Sequence, residues 1–348
     1  MPYTMPTLLP TSVVGSYATP SWLYSALDDI RDGKYGQTDL RETFDDAVTM
    51  AIQDQERAGV DVITDGEMRR WMFVQGFYTS FHGLETEEPL RKMGVYGYDS
   101  PVRYHPVERV TAPNGLGIVE EFTYLKAHTE RPVKVTCPGP LTIGIHIRLK
   151  DRRLYKDRME LSYDLAQTIN RELKQLVAEG ADFIQIDEPS YAIIPGEATQ
   201  WIDLYNTTVE GVKAKIALHI CFGNLGSRPR GKRNYRWMFP ALMEANCEQL
   251  VLEFANREMA EIDLWKEFQP QKELGAGLID IKSFYVETPE DVADRIRQAL
   301  TYVPAERLWI NPDCGFFQLP RWLAALKLKN MVAGAAIVRR ELGLEAPG

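Results

Sequence analysis

Apolar and polar positions follow two rhythms along the chain. Short apolar, β-branched runs recur, each followed by a longer stretch with helical spacing. The runs are T-S-V-V (11–14), V-D-V-I-T (60–64), V-K-V-T (133–136), F-I-Q-I (183–186), K-I-A-L (215–218), Q-L-V-L (249–252), G-L-I-D-I (277–281) and L-W-I (308–310). The spacing between them predicts helices over about 20–31, 42–58, 157–179, 199–212, 235–246, 258–268, 289–301 and 320–342. Eight strands alternating with eight helices predict an α/β fold, a parallel sheet closed into a (β/α)8 TIM barrel. A doubly wound open sheet is the alternative, but no G-x-G-x-x-G follows the first strand. Residues 72–131 break the rhythm after the second strand. They are too long for a simple connection and rich in Gly, Tyr, Pro and charge, which reads as an insertion, a hairpin plus a loop over the barrel mouth. No repeat of about 20–50 residues is evident, so residues 1–348 read as one barrel domain carrying that insertion.

Composition narrows the function. The chain has 348 residues, 45% of them apolar, enough for a large core. Its formal net charge of −9 argues against nucleic acid or an anionic membrane as partner, since both reward a basic surface. No apolar run approaches about 18 residues, so no membrane span is expected. M-P-Y-T-M-P-T-L-L-P lacks the basic start and apolar stretch of a secretory signal, so the expected location is cytoplasmic. The four cysteines, Cys137, Cys221, Cys247 and Cys314, are too scattered for a disulfide frame.

In such barrels chemistry sits at the C-terminal ends of the strands. Polar residues follow nearly every predicted strand: Gly15-Ser16, Asp65-Gly66-Glu67, Cys137, Asp187-Glu188, His219 with Cys221, Glu253, Asp280 with Lys282, and Asp313-Cys314. His219, Cys221 and Cys314 form a zinc-like set, because Zn²⁺ takes imidazole and thiolate and a catalytic site keeps three protein ligands with one position open. His-x-Cys on a strand presents both side chains to one side. Glu253 could add an oxygen. A lone buried cysteine is more often a small core residue, and that is the reading for Cys137 and Cys247. Asp187-Glu188 and Asp65-Gly66-Glu67 end buried strands in carboxylates, which is costly unless they meet a cation or several donors. Two acidic clusters facing one cavity suit a substrate ammonium, and Ser16 with neighbouring backbone N–H groups suits a carboxylate. Together they describe an amino-acid pocket beside a metal.

G-S at 15–16, D-G-E at 65–67, P-G-P-L-T at 138–142, I-Q-I-D-E-P at 184–189, H-I-C at 219–221 and N-P-D-C-G at 311–315 carry a resemblance. In that order they resemble the catalytic C-terminal half of the cobalamin-independent methionine synthases, from residue 11 to about 340. The resemblance implies a barrel with catalytic Zn²⁺ held by His219, Cys221, Glu253 and Cys314. It implies that Ser16 binds the carboxylate of homocysteine, and Glu67 and Asp187 its amino group. Two departures bear on the methyl donor. One barrel takes up the length, leaving no counterpart of the family's second, N-terminal barrel. The family's D-I-H-S, whose histidine protonates the folate leaving group, is here D-I-K-S with Lys282. A lysine near pKa 10.4 is a poor acid at neutral pH unless its surroundings lower that value. The short form is therefore expected to take its methyl group from methylcobalamin or a methyl-corrinoid protein, with methyl-tetrahydrofolate as the alternative and Lys282 as a candidate acid.

The implied reaction is attack by the homocysteine thiolate on a methyl group, giving methionine. Zinc makes the thiolate available at neutral pH, and fixed geometry supplies the acceleration. The competing readings are zinc-dependent alkylation of coenzyme M, a metal-free decarboxylase on the same barrel, and a non-catalytic protein with a structural zinc. Coenzyme M has no amino group for Glu67 and Asp187. The decarboxylase has no need of H-x-C with a distant cysteine.

Overall fold

In a computed structural model of the chain, residues 5, 7–70, 73–87, 102–224 and 233–343 are described. Strands β1 (His82–Glu87) and β2 (Arg103–Thr111) form an antiparallel hairpin. Six further strands form one parallel sheet in chain order: β3 (Val135–Pro138), β4 (Phe183–Asp187), β5 (Lys215–Ile220), β6 (Gln249–Glu253), β7 (Glu273–Ile279) and β8 (Leu308–Pro312). Two short segments fill the gap between β8 and β3. Thr11 bridges Ile310, Ser12 bridges Val62 and Ile63 bridges Val133, all parallel. Ser12 N donates to Ile310 O at 3.0 Å, Val62 N to Thr11 O at 3.1 Å and Lys134 N to Ile63 O at 2.9 Å. The eight staves thus return on themselves. The first two are bridges rather than ladders, partly because the Asp61 carboxylate takes the Thr11 N–H at 2.8 Å, where a strand carbonyl would otherwise sit.

Alternation along the staves separates two apolar clusters. Val14, Val62, Phe183, Ala217, Val251 and Trp309 pack together inside the barrel. Their neighbours Ile184, Ile186, Leu218, Ile220, Leu250 and Leu252 join the larger cluster under the helices. Residues two and four further on from the inner set therefore face the barrel axis. That is where Gln185, Asp187, His219, Cys221 and Glu253 fall.

Helices Ser21–Arg31, Arg158–Ala178, Ala198–Val209, Pro289–Leu300 and Arg321–Glu341 lie where the spacing predicts them. Gln37–Ala58 begins earlier than expected, with the Asp39 carboxylate accepting the Gly36 N–H at 3.1 Å. Two predicted helices shrink, to Phe239–Leu242 and Leu264–Phe268. Before the second, Glu258, Met259 and Glu261 have φ of 52°, 63° and 67°, which no helix tolerates. The insertion contains the expected hairpin, its 88–101 loop lying outside the described residues. It also contains an unexpected helix, Ile118–Ala127, whose first N–H groups are held by the buried Glu172 carboxylate. β2 packs against helix Arg158–Ala178. No helix among the described residues is long and apolar enough to cross a membrane.

Candidate active site and metal-type centre

At the C-terminal mouth of the barrel, His219, Cys221 and Cys314 meet. One ligand atom from each lies within 4.8 Å of the others. The Cys221 and Cys314 sulfurs are 3.3 Å apart although 93 residues separate them in sequence. His219 is buried in β5; its Nδ1 sits 3.2 Å from Val251 O, and its Nε2 has no hydrogen-bond partner among the described residues. Contact with Cys221, then burial, raises the Cys314 pKa well above its ordinary value. A nearby cation would favour the ionised Cys314. An imidazole nitrogen and two sulfurs, His219 and Cys221 buried and Cys314 half-buried, with a ring nitrogen to spare, fit a zinc-type ion.

Glu253, the last residue of β6, is fully buried beside this group but outside it. Its Oε2 faces Lys282 Nζ at 2.8 Å and accepts the Phe222 N–H at 3.2 Å, while Oε1 has no hydrogen-bond partner. Burial acts to lower the Lys282 pKa, but Glu253, Asp313 and the two thiols hold it above its ordinary value. Asp313 accepts the N–H groups of Phe254, Ala255 and Asn256 at 2.7–2.9 Å, fixing the chain that leaves β6.

The acids and the serine stand around the same mouth. Ser16 lies so close to Gly315, next to Cys314, that a Cβ there would overlap the Ser16 hydroxyl. Glu67 is in the left-handed region at φ 55°. Its Oε1 accepts the Thr136 hydroxyl at 2.6 Å and lies 3.1 Å from Arg70 Nη1. Burial pushes the Glu67 carboxyl up to about 7; Arg70 opposes this and the Asp187 charge adds to it. Asp187 is also raised by burial, against the pull of His219 and Gln185. Its Oδ1 accepts from Gln185 and its Oδ2 has no hydrogen-bond partner.

Other candidates fall elsewhere. Glu188 points away from the axis, accepting the Leu141 N–H, the Thr142 N–H and the Thr142 hydroxyl at 2.6–3.1 Å. Cys137 lies within β3 rather than after it, and both Cys137 and Cys247 are buried in the outer core. The insertion's aromatic residues Phe77, Tyr78 and Phe81 are core, and Trp71 lies outside the described residues. In the basic stretch 230–236, residues 230–232 lie outside them too, while Arg233 bonds to Asn256 and Arg236 to Glu267. Sequence reasoning missed Thr136, Arg70, Lys134 and Gln185. A lysine and a glutamine at inward positions of strands otherwise apolar were the available signal for the last two.

Fold and site define a parallel-barrel enzyme whose mouth gathers an imidazole, two thiols and a ring of buried acids. The family profile "Cobalamin-independent synthase, Catalytic domain" matches residues 9–337. Methionine synthases of Sulfurisphaera tokodaii and Saccharolobus solfataricus are each 38% identical over 337 residues, covering 96% of this chain and 94% and 96% of theirs. The structure of a B12-independent methionine synthase from Shewanella sp. W3-18-1 in complex with selenomethionine is similar at TM-score 0.82 and 30% identity, over 97% of this chain and 99% of that one. A putative vitamin-B12 independent methionine synthase from Listeria monocytogenes shares the fold at TM-score 0.73 and 21% identity, over 97% of this chain and 99% of that one. The chain belongs to the family of cobalamin-independent synthase catalytic domains. It is a methyltransferase of the methionine synthase type.

Proposed function

We propose that the protein, acting as a single barrel domain in the cytoplasm, methylates the thiol of homocysteine to give methionine, with zinc at the barrel mouth. The observation that carries this is the meeting of His219, Cys221 and Cys314 beside Ser16, Glu67 and Asp187. A relative of the same fold is described in complex with selenomethionine, the selenium analogue of the proposed product.

His219, Cys221 and Cys314 would hold the zinc, and Glu253, through its unpartnered Oε1, is the fourth ligand we assign. When bound, zinc would supply the charge that lets a thiol shed its proton at neutral pH. Ser16 takes the substrate carboxylate. Glu67 and Asp187 take the ammonium, which relieves the like-charge penalty of two buried acids. Held at both ends, the substrate keeps its sulfur in one place, and that positioning lowers the barrier. Coenzyme M would leave both acids without a cation.

The donor expected from the sequence, methylcobalamin or a methyl-corrinoid partner protein, loses support from a family described as cobalamin-independent. Methyl-tetrahydrofolate becomes the donor we propose. We assign Lys282 to pairing with Glu253 rather than to proton transfer, since that pair holds its pKa above the ordinary value.

The test combines metal analysis with turnover. The purified enzyme should carry about one zinc per chain, and Cys221→Ser and Cys314→Ser should lose both zinc and more than about a hundredfold of activity. Cys247→Ser should keep both. Full activity without metal, or equal loss in all three variants, would overturn the zinc assignment. Turnover with methylcobalamin but none with methyl-tetrahydrofolate would overturn the donor.

A further inference from the structure

Lys134 lies in the barrel interior and the proposed chemistry leaves it unused. It is wholly buried, below the mouth, at an inward position of the third stave. Its Nζ donates to Val13 O at 2.6 Å and to Gln185 Oε1 at 2.7 Å. Gln185 is also wholly buried. Its Nε2 donates to Val14 O at 2.6 Å and to Asp187 Oδ1 at 2.7 Å. The Asp187 Oδ2 is left without a hydrogen-bond partner.

An amide has a donating end and an accepting end, and either can be swung toward a neighbour. Next to a carboxylate only the N–H end is favourable. Nothing in Gln185 itself enforces that choice. Lys134 does so at one end, because its ammonium has no acceptor and accommodates only Oε1, and Val14 O at the other, because a carbonyl accommodates only the N–H end. The choice survives titration. Burial brings the Lys134 pKa down to about 7; the neutral amine gains a lone pair but keeps two N–H groups for Val13 O and Gln185 Oε1, and Val14 O still takes the amide N–H. The chain Lys134–Gln185–Asp187 thus occupies one carboxylate oxygen and leaves the other for a ligand. A buried polar chain of this kind is worth having only when every member is satisfied. The unfilled Oδ2 is its open end.

We propose that Lys134 and Gln185 are positioning residues for substrate recognition: the lysine sets the orientation of the glutamine amide, and the amide aims Asp187 at the amino group of the amino-acid substrate. The inference rests on the reading of Asp187 as the ammonium partner. Neither residue touches the reacting sulfur or the ligand cluster, so the effect is on discrimination between thiols.

The zinc-loaded full-length enzyme and its variants Lys134→Met, Gln185→Met and Asp187→Asn are titrated by calorimetry. The ligands are homocysteine and 4-mercaptobutanoate, which is homocysteine without its amino group. Zinc content and Tm are followed in parallel. The wild type should favour homocysteine by about tenfold or more, the scale of a hydrogen bond to a charged group. Lys134→Met and Gln185→Met should reduce that preference to within roughly threefold, by weakening homocysteine alone while zinc content stays constant. If both thiols weaken together, or if both variants keep the wild-type preference, the proposal fails. Should Lys134→Met not fold, Gln185→Met, which leaves the lysine bonded to Val13 O, decides the matter. Asp187→Asn separates the two levels. If it abolishes the preference and the other variants do not, only the positioning claim falls. If it keeps the preference, the reading of Asp187 itself falls.

Discussion

Glu67 shows how the fold sets up a single residue for the role we propose, partner of a substrate ammonium. It follows Gly66, at φ 70°, and is itself left-handed, so its carboxylate turns inward beside Gly15, where any Cβ would meet its Oε1. Burial raises its pKa to about 7, and Asp187 adds to the shift. The sign follows. A carboxyl raised in the folded state favours the fold while protonated, and that contribution fades as pH rises through about 7. An arriving ammonium favours the ionised form. Homocysteine binding should therefore release a proton near neutral pH and weaken as pH falls below about 7. Calorimetry in two buffers of different ionisation enthalpy reads the total, to which the thiol adds about one proton; release at pH 6.5 no greater than that of the thiol alone would contradict it. The acids themselves were legible in D-G-E and I-D-E-P. Their partners were not, because Thr136 and Arg70 reach Glu67 only through the closed barrel.

At the scale of elements, period-2 alternation explains both the successes and the misreadings. Phe183, Gln185 and Asp187 share one face of β4, as Ala217 and His219 do in β5, so an inward Phe or Ala lower in the strand places the site residue above it. The same rule turns Glu188 outward. Its carboxylate instead holds the start of the short helix Pro140–Ile143, an element too brief for any periodic signal. Glu188→Ala strands two backbone N–H groups and a hydroxyl in the interior and should cost about 2–4 kcal/mol. Glu188→Gln, which keeps an acceptor, should cost less. Urea unfolding measures both, and a silent Ala variant would refute this role. The helix Ile118–Ala127 escaped the pattern because its amino end is satisfied by Glu172, more than fifty residues away, and not by a local cap.

For the molecule as a whole, closure depends on the ends of the chain meeting. Arg339, on the last helix, donates to Leu8 O, Leu9 O and Asp61 Oδ2 at 2.5–3.0 Å. The same Asp61 oxygen takes the Thr11 N–H and hydroxyl at 2.8 Å. One buried ion pair thereby joins the first stave, the second and the final helix. Arg339→Met would leave Asp61 buried and unpaired, a loss of about 3–5 kcal/mol. A shift in the denaturation midpoint reports it; the wild-type midpoint would rule out a role in closure. Because β8 must pair with residue 11, this closure also carries Cys314 to Cys221.

The sequence by itself determined the rhythm of strands and helices, the barrel class, and the polar residue at the end of each stave, because these depend on local periodicity and on which face a side chain takes. Beyond the set of His219, Cys221 and Cys314, which the strand ends already suggested, only the tertiary structure decided who meets whom. It set Glu253 against Lys282, tied Asp187 to Lys134 through Gln185, and shortened the helices after β5 and β6. Those outcomes depend on distances across a closed sheet, where burial makes every charge seek a partner that no local pattern names.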